Sequence, residues 1–224
     1  MKIKKRMLVI MAIAITVVSC KKDEIKVNET TTQNSNSGNG GNSDYTPLAI
    51  GNYWVYKNYE VDSLGNETEV QYLDSVVITH DTIINGNTYY IFEGTNYPLP
   101  QNWHYIKIVR DSGDYLVNEQ GKILFSSNDF SNILSEKIEI YNTGDTIYYI
   151  QFKMEQVYNS VSLPAGVFNN VYNYQGTLIV PGSSLNPRYL DNYYAPGIGE
   201  IVKTNSFVSM PKMFKKKLLR YNVN

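Results

Sequence analysis

From Tyr45 to Asn224 apolar and polar residues alternate with a period of two, the spacing that turns one side of a strand toward a core and the other toward water. In IYYIQFKMEQV, residues 147–157, Tyr148, Ile150, Phe152 and Met154 fall on one side, against Tyr149, Gln151, Lys153 and Glu155 on the other. The pattern recurs in VYNYQGTLIV, where Tyr172, Tyr174, Leu178 and Val180 share a face, and at the C-terminus, where Leu219, Tyr221 and Val223 share one. Turn signals separate the runs. Asn85-Gly86 suits the two positive-φ positions of a type I′ hairpin, and Pro196-Gly197 suits a type II turn. Helical periodicity is confined to a turn or two near DFSNILSEK, residues 129–137. About ten successive strands are expected, which predicts an all-β domain: an antiparallel meander forming a curved sheet or half-barrel.

The first 44 residues follow a different rule. A basic head, MKIKKR, precedes a run of about a dozen apolar or small residues that ends at Ser19. A membrane-spanning helix needs about 20 apolar residues, so this run reads as a secretory signal, residues 1–19. Its end, Val17-Val18-Ser19-Cys20, resembles the lipobox of bacterial lipoproteins, which implies acylation of Cys20, the only cysteine in the chain. The alternative is a thiol acting as a small hydrophobe beside a plain signal. Acylation at Cys20 uses the only thiol, which leaves none for disulfides or thiolate chemistry. Several acyl chains anchor stably where one holds marginally, so the expected partner is a membrane, reached through lipid.

Lys22, Asp23 and Glu24 resemble the signal that sends lipoproteins of the Bacteroidota type to the outer face of the outer membrane; the alternative is solvation of a linker. Residues 27–44, VNETTTQNSNSGNGGNSD, contain no aromatic residue and almost no aliphatic one. They cannot bury enough apolar surface to offset ordering entropy, so residues 20–44 are expected to be a lipidated tether reaching roughly 25 Å. Residues 45–224 then form one domain. Loss of Lys2, Lys4, Lys5 and Arg6 with the signal leaves 16 basic against 21 acidic residues, near −5. That balance disfavours nucleic acid as a partner. The one basic run, Lys215-Lys216-Lys217, reads as a solvated strand face or a protected edge.

PLAIGNYWVY (47–56), SLPAGVFNNVYNY (162–174), YYAPGIGEIVK (193–203) and LLRYNV (218–223) are similar to the landmarks of a broad group of uncharacterised β-rich bacterial lipoproteins. Glu200 departs from that pattern, since an apolar residue is usual after the second glycine. The resemblance implies a curved antiparallel sheet and carries over no catalytic residue. Gly197 and Gly199 also have a conformational explanation, and Trp54 one in burial.

Chemical signatures are sparse. His80 and His104 are the two histidines, without H-E-x-x-H spacing, a nucleophile elbow or a phosphate loop. Asp111 to Asp114, DSGD, lacks the alternating ligands of a calcium loop and reads as a hairpin turn. No metal and no cofactor are expected. Twenty tyrosines and two tryptophans are a stronger signal, with Tyr97, Trp103 and Tyr105 gathered in NYPLPQNWHY. Such rings suit stacking on sugars, while tyrosine also suits a half-wet sheet. Four aspartate, hydroxyl, aliphatic triplets place Ser63, Ser75, Thr82 and Thr146 in a context similar to O-glycosylation sites of exported Bacteroidota proteins. The leading expectation is therefore a non-enzymatic outer-membrane surface lipoprotein that binds a ligand, with glycan or an envelope protein as partner. The rival is a lipid-anchored hydrolase whose site assembles only in space.

Overall fold

The computed structural model describes residues 45–99, 104–157, 160–183 and 186–224. Cys20, Lys22, Asp23, Glu24 and Trp103 lie outside the described residues. Among the described residues fifteen strands run in order: β1 (Tyr53–Val61), β2 (Glu67–Ile84), β3 (Asn87–Gly94), β4 (Tyr105–Ser112), β5 (Tyr115–Asn118), β6 (Ile123–Ser126), β7 (Ile133–Ile140), β8 (Thr146–Val157), β9 (Val161–Leu163), β10 (Gly166–Phe168), β11 (Val171–Ile179), β12 (Arg188–Leu190), β13 (Asn192–Ala195), β14 (Gly199–Ser206) and β15 (Met213–Asn222). The count exceeds ten because β5, β6, β9, β10, β12 and β13 have three or four residues each, too few for a period of two to stand out.

All ladders are antiparallel, and thirteen strands form one sheet in the order β6-β5-β4-β3-β2-β1-β15-β14-β13-β11-β8-β7, with β12 attached to β11. The N- and C-terminal strands meet at its centre, and the sheet curls until its edges β6 and β7 come close, forming a nearly closed barrel. No ladder joins those two edges among the described residues. The Tyr174 hydroxyl of β11 spans the gap instead, donating to the Ile123 carbonyl of β6 at 2.7 Å and lying 2.6 Å from Ser135 Oγ of β7. Burial pushes that phenol well up, so it stays protonated and able to donate.

The turn chemistry is as the sequence implies. Asn85 and Gly86 have φ of 51° and 79°. Gly197 has φ of 71° in a turn closed by the Ile198 amide on the Ala195 carbonyl, the type II geometry. The segment 129–132 is not helical: the Asp129 carboxylate accepts the Ser131 and Asn132 amides, an Asx turn that feeds β7. Ile150 and Met154 of β8 and Tyr174 and Leu178 of β11 are buried on the faces that alternation selects.

Two readings of β15 need correction. Its buried side carries Phe214, Lys216 and Leu218, whereas Tyr221 on the opposite parity is 36% exposed. A lysine at the centre of the buried face hides the alternation from any scale that counts lysine as polar. Lys215-Lys216-Lys217 is accordingly neither a wholly solvated face nor an edge, because β15 sits between β1 and β14. Lys215 and Lys217 turn outward onto Glu67 of β2, while Lys216 is 4% exposed.

One apolar cluster gathers Trp54, Tyr56, Ile78, Ile201 and Leu218, with the β9–β10 hairpin packed on it through Phe168. A second gathers Val109, Phe125, Met154, Tyr174 and Tyr194. Trp54 and Tyr56 of the first cluster and Leu116 and Tyr194 of the second line one interior space together with Lys107, Glu200 and Lys216.

A buried lysine and carboxylate cluster in the candidate site

The landmarks of the two chain ends meet in space. Asn52, fully buried, donates to the Pro47 carbonyl and accepts the Asn224 amide. Trp54 Nε1 donates to the Ile198 carbonyl at 2.7 Å, and Gly199 lies against the indole, where a Cβ would come within 3.7 Å of Nε1. These contacts fix the start of β14, and with it Glu200.

The Glu200 side chain, 13% exposed, lies 3.1 Å from Lys216 Nζ and 3.7 Å from Lys203 Nζ. Lys203 and Lys216 are register partners across the β14–β15 ladder, so two like charges oppose each other and the carboxylate offsets both. Three tyrosines enclose it. Tyr56 donates to the Glu200 carbonyl at 2.8 Å and lays its ring 4.4 Å from Lys216 Nζ. Tyr194 reaches Glu200 Oε2 at 3.4 Å, and Tyr105 lines the same space. A register shift between Tyr193 and Tyr194 re-aims this part of β13, as bulges commonly do beside functional sites.

Burial alone pushes the Glu200 carboxyl up, but the ammonium groups of Lys203, Lys216 and Lys107 outweigh it and hold it at about 2. Burial pulls Lys107 down to about 8, against the attraction of Glu200 and with the repulsion of Lys203 and Lys216. Burial pushes Tyr105 up to about 12, and burial with the charge of Glu200 holds Tyr56 and Tyr194 well above the usual phenol value. At neutral pH the interior therefore holds an ionised carboxylate and protonated phenols.

This cluster forms the floor of a cavity system. An inner chamber of about 40 Å³ touches Trp54, Tyr56, Tyr105 and Lys216. Through Lys107, Tyr194 and Glu200 it shares walls with an outer cavity of about 360 Å³, which Lys122, Lys137, Lys203, Tyr148 and Phe152 also line. Lys107 keeps partial solvent access because it opens into this space while being surrounded by protein.

Of the sequence-predicted residues, Tyr105 sits in this interior. Tyr97 does not share that setting: it is half-buried, packs edge-on against Phe214 and bonds Glu60 through its hydroxyl at 3.2 Å. Its amide is held by both oxygens of the fully buried Asp74. No ring contact joins Tyr97 to Tyr105 among the described residues. Ser63, Ser75 and Thr146 are exposed, and Thr82 is half-buried. His80 and His104 converge on Glu93, with His104 Nε2 at 3.1 Å and His80 Nδ1 at 3.8 Å; Thr79 Oγ1 lies 2.8 Å from His80 Nδ1. Both imidazoles are more than half exposed, and neither lines the cavity. Glu93 is lowered first by the His104 hydrogen bond and then by that of Thr79.

Sequence reasoning missed Glu200, Lys216, Lys107 and Lys203 as a unit. The available signal was the charge of Glu200 at a landmark position where an apolar residue is usual, together with Lys216 in the middle of a strand.

No family model and no curated protein matches the sequence. Two crystal structures are similar to the chain. A Bacteroides fragilis protein, described as exported and as having a YmcC-like fold, is 14% identical with a TM-score of 0.48, covering 80% of this chain and 98% of its own. A Parabacteroides distasonis protein, described as a lipoprotein, is 16% identical with a TM-score of 0.44 over the same shares.

Proposed function

We propose that the chain is a non-enzymatic surface lipoprotein, anchored in the outer membrane through Cys20 and exported by the Lys22, Asp23 and Glu24 signal, whose barrel captures a ligand. The observation that carries ligand capture is the 360 Å³ cavity, within the size range of small-molecule sites and lined by aromatic rings with converging polar groups. Tyr105, which with Tyr97 and Trp103 makes up the proposed glycan-stacking set, lines the adjoining inner chamber. The lipobox and the unusual thiol position support the anchor. The exposed Ser63, Ser75 and Thr146, with Thr82, are the proposed O-glycosylation sites, and intact mass from the native host reads them directly.

The rival hydrolase has one observation in its favour, the Thr79, His80, Glu93 and His104 cluster on the outer surface. Its hydroxyl and carboxylate both meet His80 on the same ring nitrogen, whereas a relay needs them on opposite nitrogens.

Radiolabelled palmitate should enter the wild-type chain and not Cys20→Ser, and the purified protein should bind members of a glycan array. Trp103→Ala should weaken that binding with little change in thermal unfolding. Absence of label removes the anchor. Turnover of an ester or peptide substrate that His80→Ala or His104→Ala abolishes replaces this reading with the rival.

A further inference from the structure

We infer that the 360 Å³ cavity takes a small polyanion, a sugar-sized molecule bearing two or more carboxylate or phosphate groups. This rests on the ligand-capture reading and names the chemistry of that same cavity.

Among the described residues four ammonium side chains, Lys107, Lys122, Lys137 and Lys203, line the cavity, against the single carboxylate of Glu200. That carboxylate is already engaged by Lys203 and by Lys216 below it. Lys107, Lys122 and Lys137 have no carboxylate within ion-pair distance among the described residues. Each rests instead beside a ring: Lys107 5.5 Å from the centre of Phe92, Lys122 5.5 Å from Phe152, and Lys137 5.7 Å from Tyr148. Glu119 lines the adjoining groove with Tyr105 and Lys107 and is not among the residues lining this cavity.

Lys107 and Lys122 are half-buried cations without an ion-pair partner, and neighbouring ammonium groups, Lys137 at the exposed rim among them, repel them. Burial lowers Lys122, and Lys137 lowers it further; Lys107 is lowered in the same way beside Lys203 and Lys216. The lysines thus form two groups, one on β4 and β14 and one at the β6 and β7 edges, facing a shared space. A molecule with two anionic groups relieves both repulsions at once. The walls also concentrate the field of these charges, which draws anions in. Phe152 and Tyr148 hold Lys122 and Lys137 against the cavity wall, and Tyr174 stacks on Phe152.

The test is titration calorimetry on the full-length protein in a non-ionic detergent, with digalacturonate, glucose 1,6-bisphosphate and neutral cellobiose as probes. We expect one or both anions to bind at least about tenfold more tightly than cellobiose, and to weaken at least about tenfold between low salt and about 0.5 M NaCl. Binding of digalacturonate alone assigns the carboxylate class, and of the bisphosphate alone the phosphate class. The double variant Lys122→Gln, Lys137→Gln should lose at least about tenfold in affinity while keeping its melting temperature, since neither residue belongs to the packed clusters. Lys107→Gln provides a second variant from the opposite wall. Equal binding of cellobiose and the anions overturns the charge inference while leaving ligand capture in place. Absence of binding by both anions, or indifference to all three substitutions, overturns it as well, and glycan-array binding then judges ligand capture separately.

Discussion

Replacing Glu200 by glutamine tests the central electrostatic arrangement. The substitution keeps shape and removes the charge that offsets Lys203 and Lys216, leaving Lys216 buried without a counter-ion. The fall of the Glu200 carboxyl from 4.5 to about 2 corresponds to about 3 kcal/mol of preference for the ionised form. Breaking a buried pair from one side costs about 3–5 kcal/mol by general experience, which agrees. The Tyr56 ring over Lys216 is present in both proteins and drops out of the difference. For a domain of this size the expected drop in melting temperature is about 6–12 °C, measured by calorimetry at pH 7. The double variant Glu200→Leu, Lys216→Met should recover much of it, because the deeply buried ammonium leaves with its carboxylate, while Lys203, 24% exposed, keeps access to water. Acid behaviour gives an internal control. A depressed carboxyl contributes stability that is complete above its unfolded value near 4.5 and disappears as pH falls toward about 2, so this part of acid unfolding should be missing in Glu200→Gln. A melting temperature within about 2 °C of wild type, or a double variant no better than the single, would refute the reasoning.

Lys107 carries a destabilising charge, whereas the charge of Glu200 is stabilising. Its folded value near 8 lies below 10.5, so the unfolded chain binds more protons between those limits and stability should rise with pH there. Lys107→Met should therefore be more stable than wild type at pH 7 by up to about 3 kcal/mol, with the advantage shrinking toward pH 10 in urea titrations; a constant difference would contradict this. Tyr174→Phe should cost about 1–2 kcal/mol and accelerate amide exchange in β6 and β7 ahead of β1 and β15, because the lost hydroxyl bridges the two sheet edges. Uniform acceleration across the barrel would show that the seam is held by something else.

The all-β class and most of the turns were legible because their causes are local. Asn85-Gly86 adopts positive φ whatever surrounds it, and the alternation in β8 and β11 needs only one wet and one dry face. β15 shows where that logic stops. Its alternation is masked because Lys216 occupies an inward position, and an inward lysine is tolerated only when a carboxylate from another strand reaches it. Tyr97 and Tyr105 show the same limit. Eight residues apart in sequence, they are drawn into different surroundings by the buried Asp74 and by the cavity wall.

The sequence alone determined a signal-like start, a lone thiol at its end, a polar stretch unable to form a core, and a strand-rich body, since each depends on composition or on neighbours a few residues apart. Tertiary structure alone decided that the sheet curls to bring β6 near β7, that Glu200 meets Lys203 and Lys216, and that lysines from distant strands share one cavity. The physical reason is that charge and burial act through space: whether a lysine is a solvated tail or a buried cation depends on which strand the ladder places opposite it.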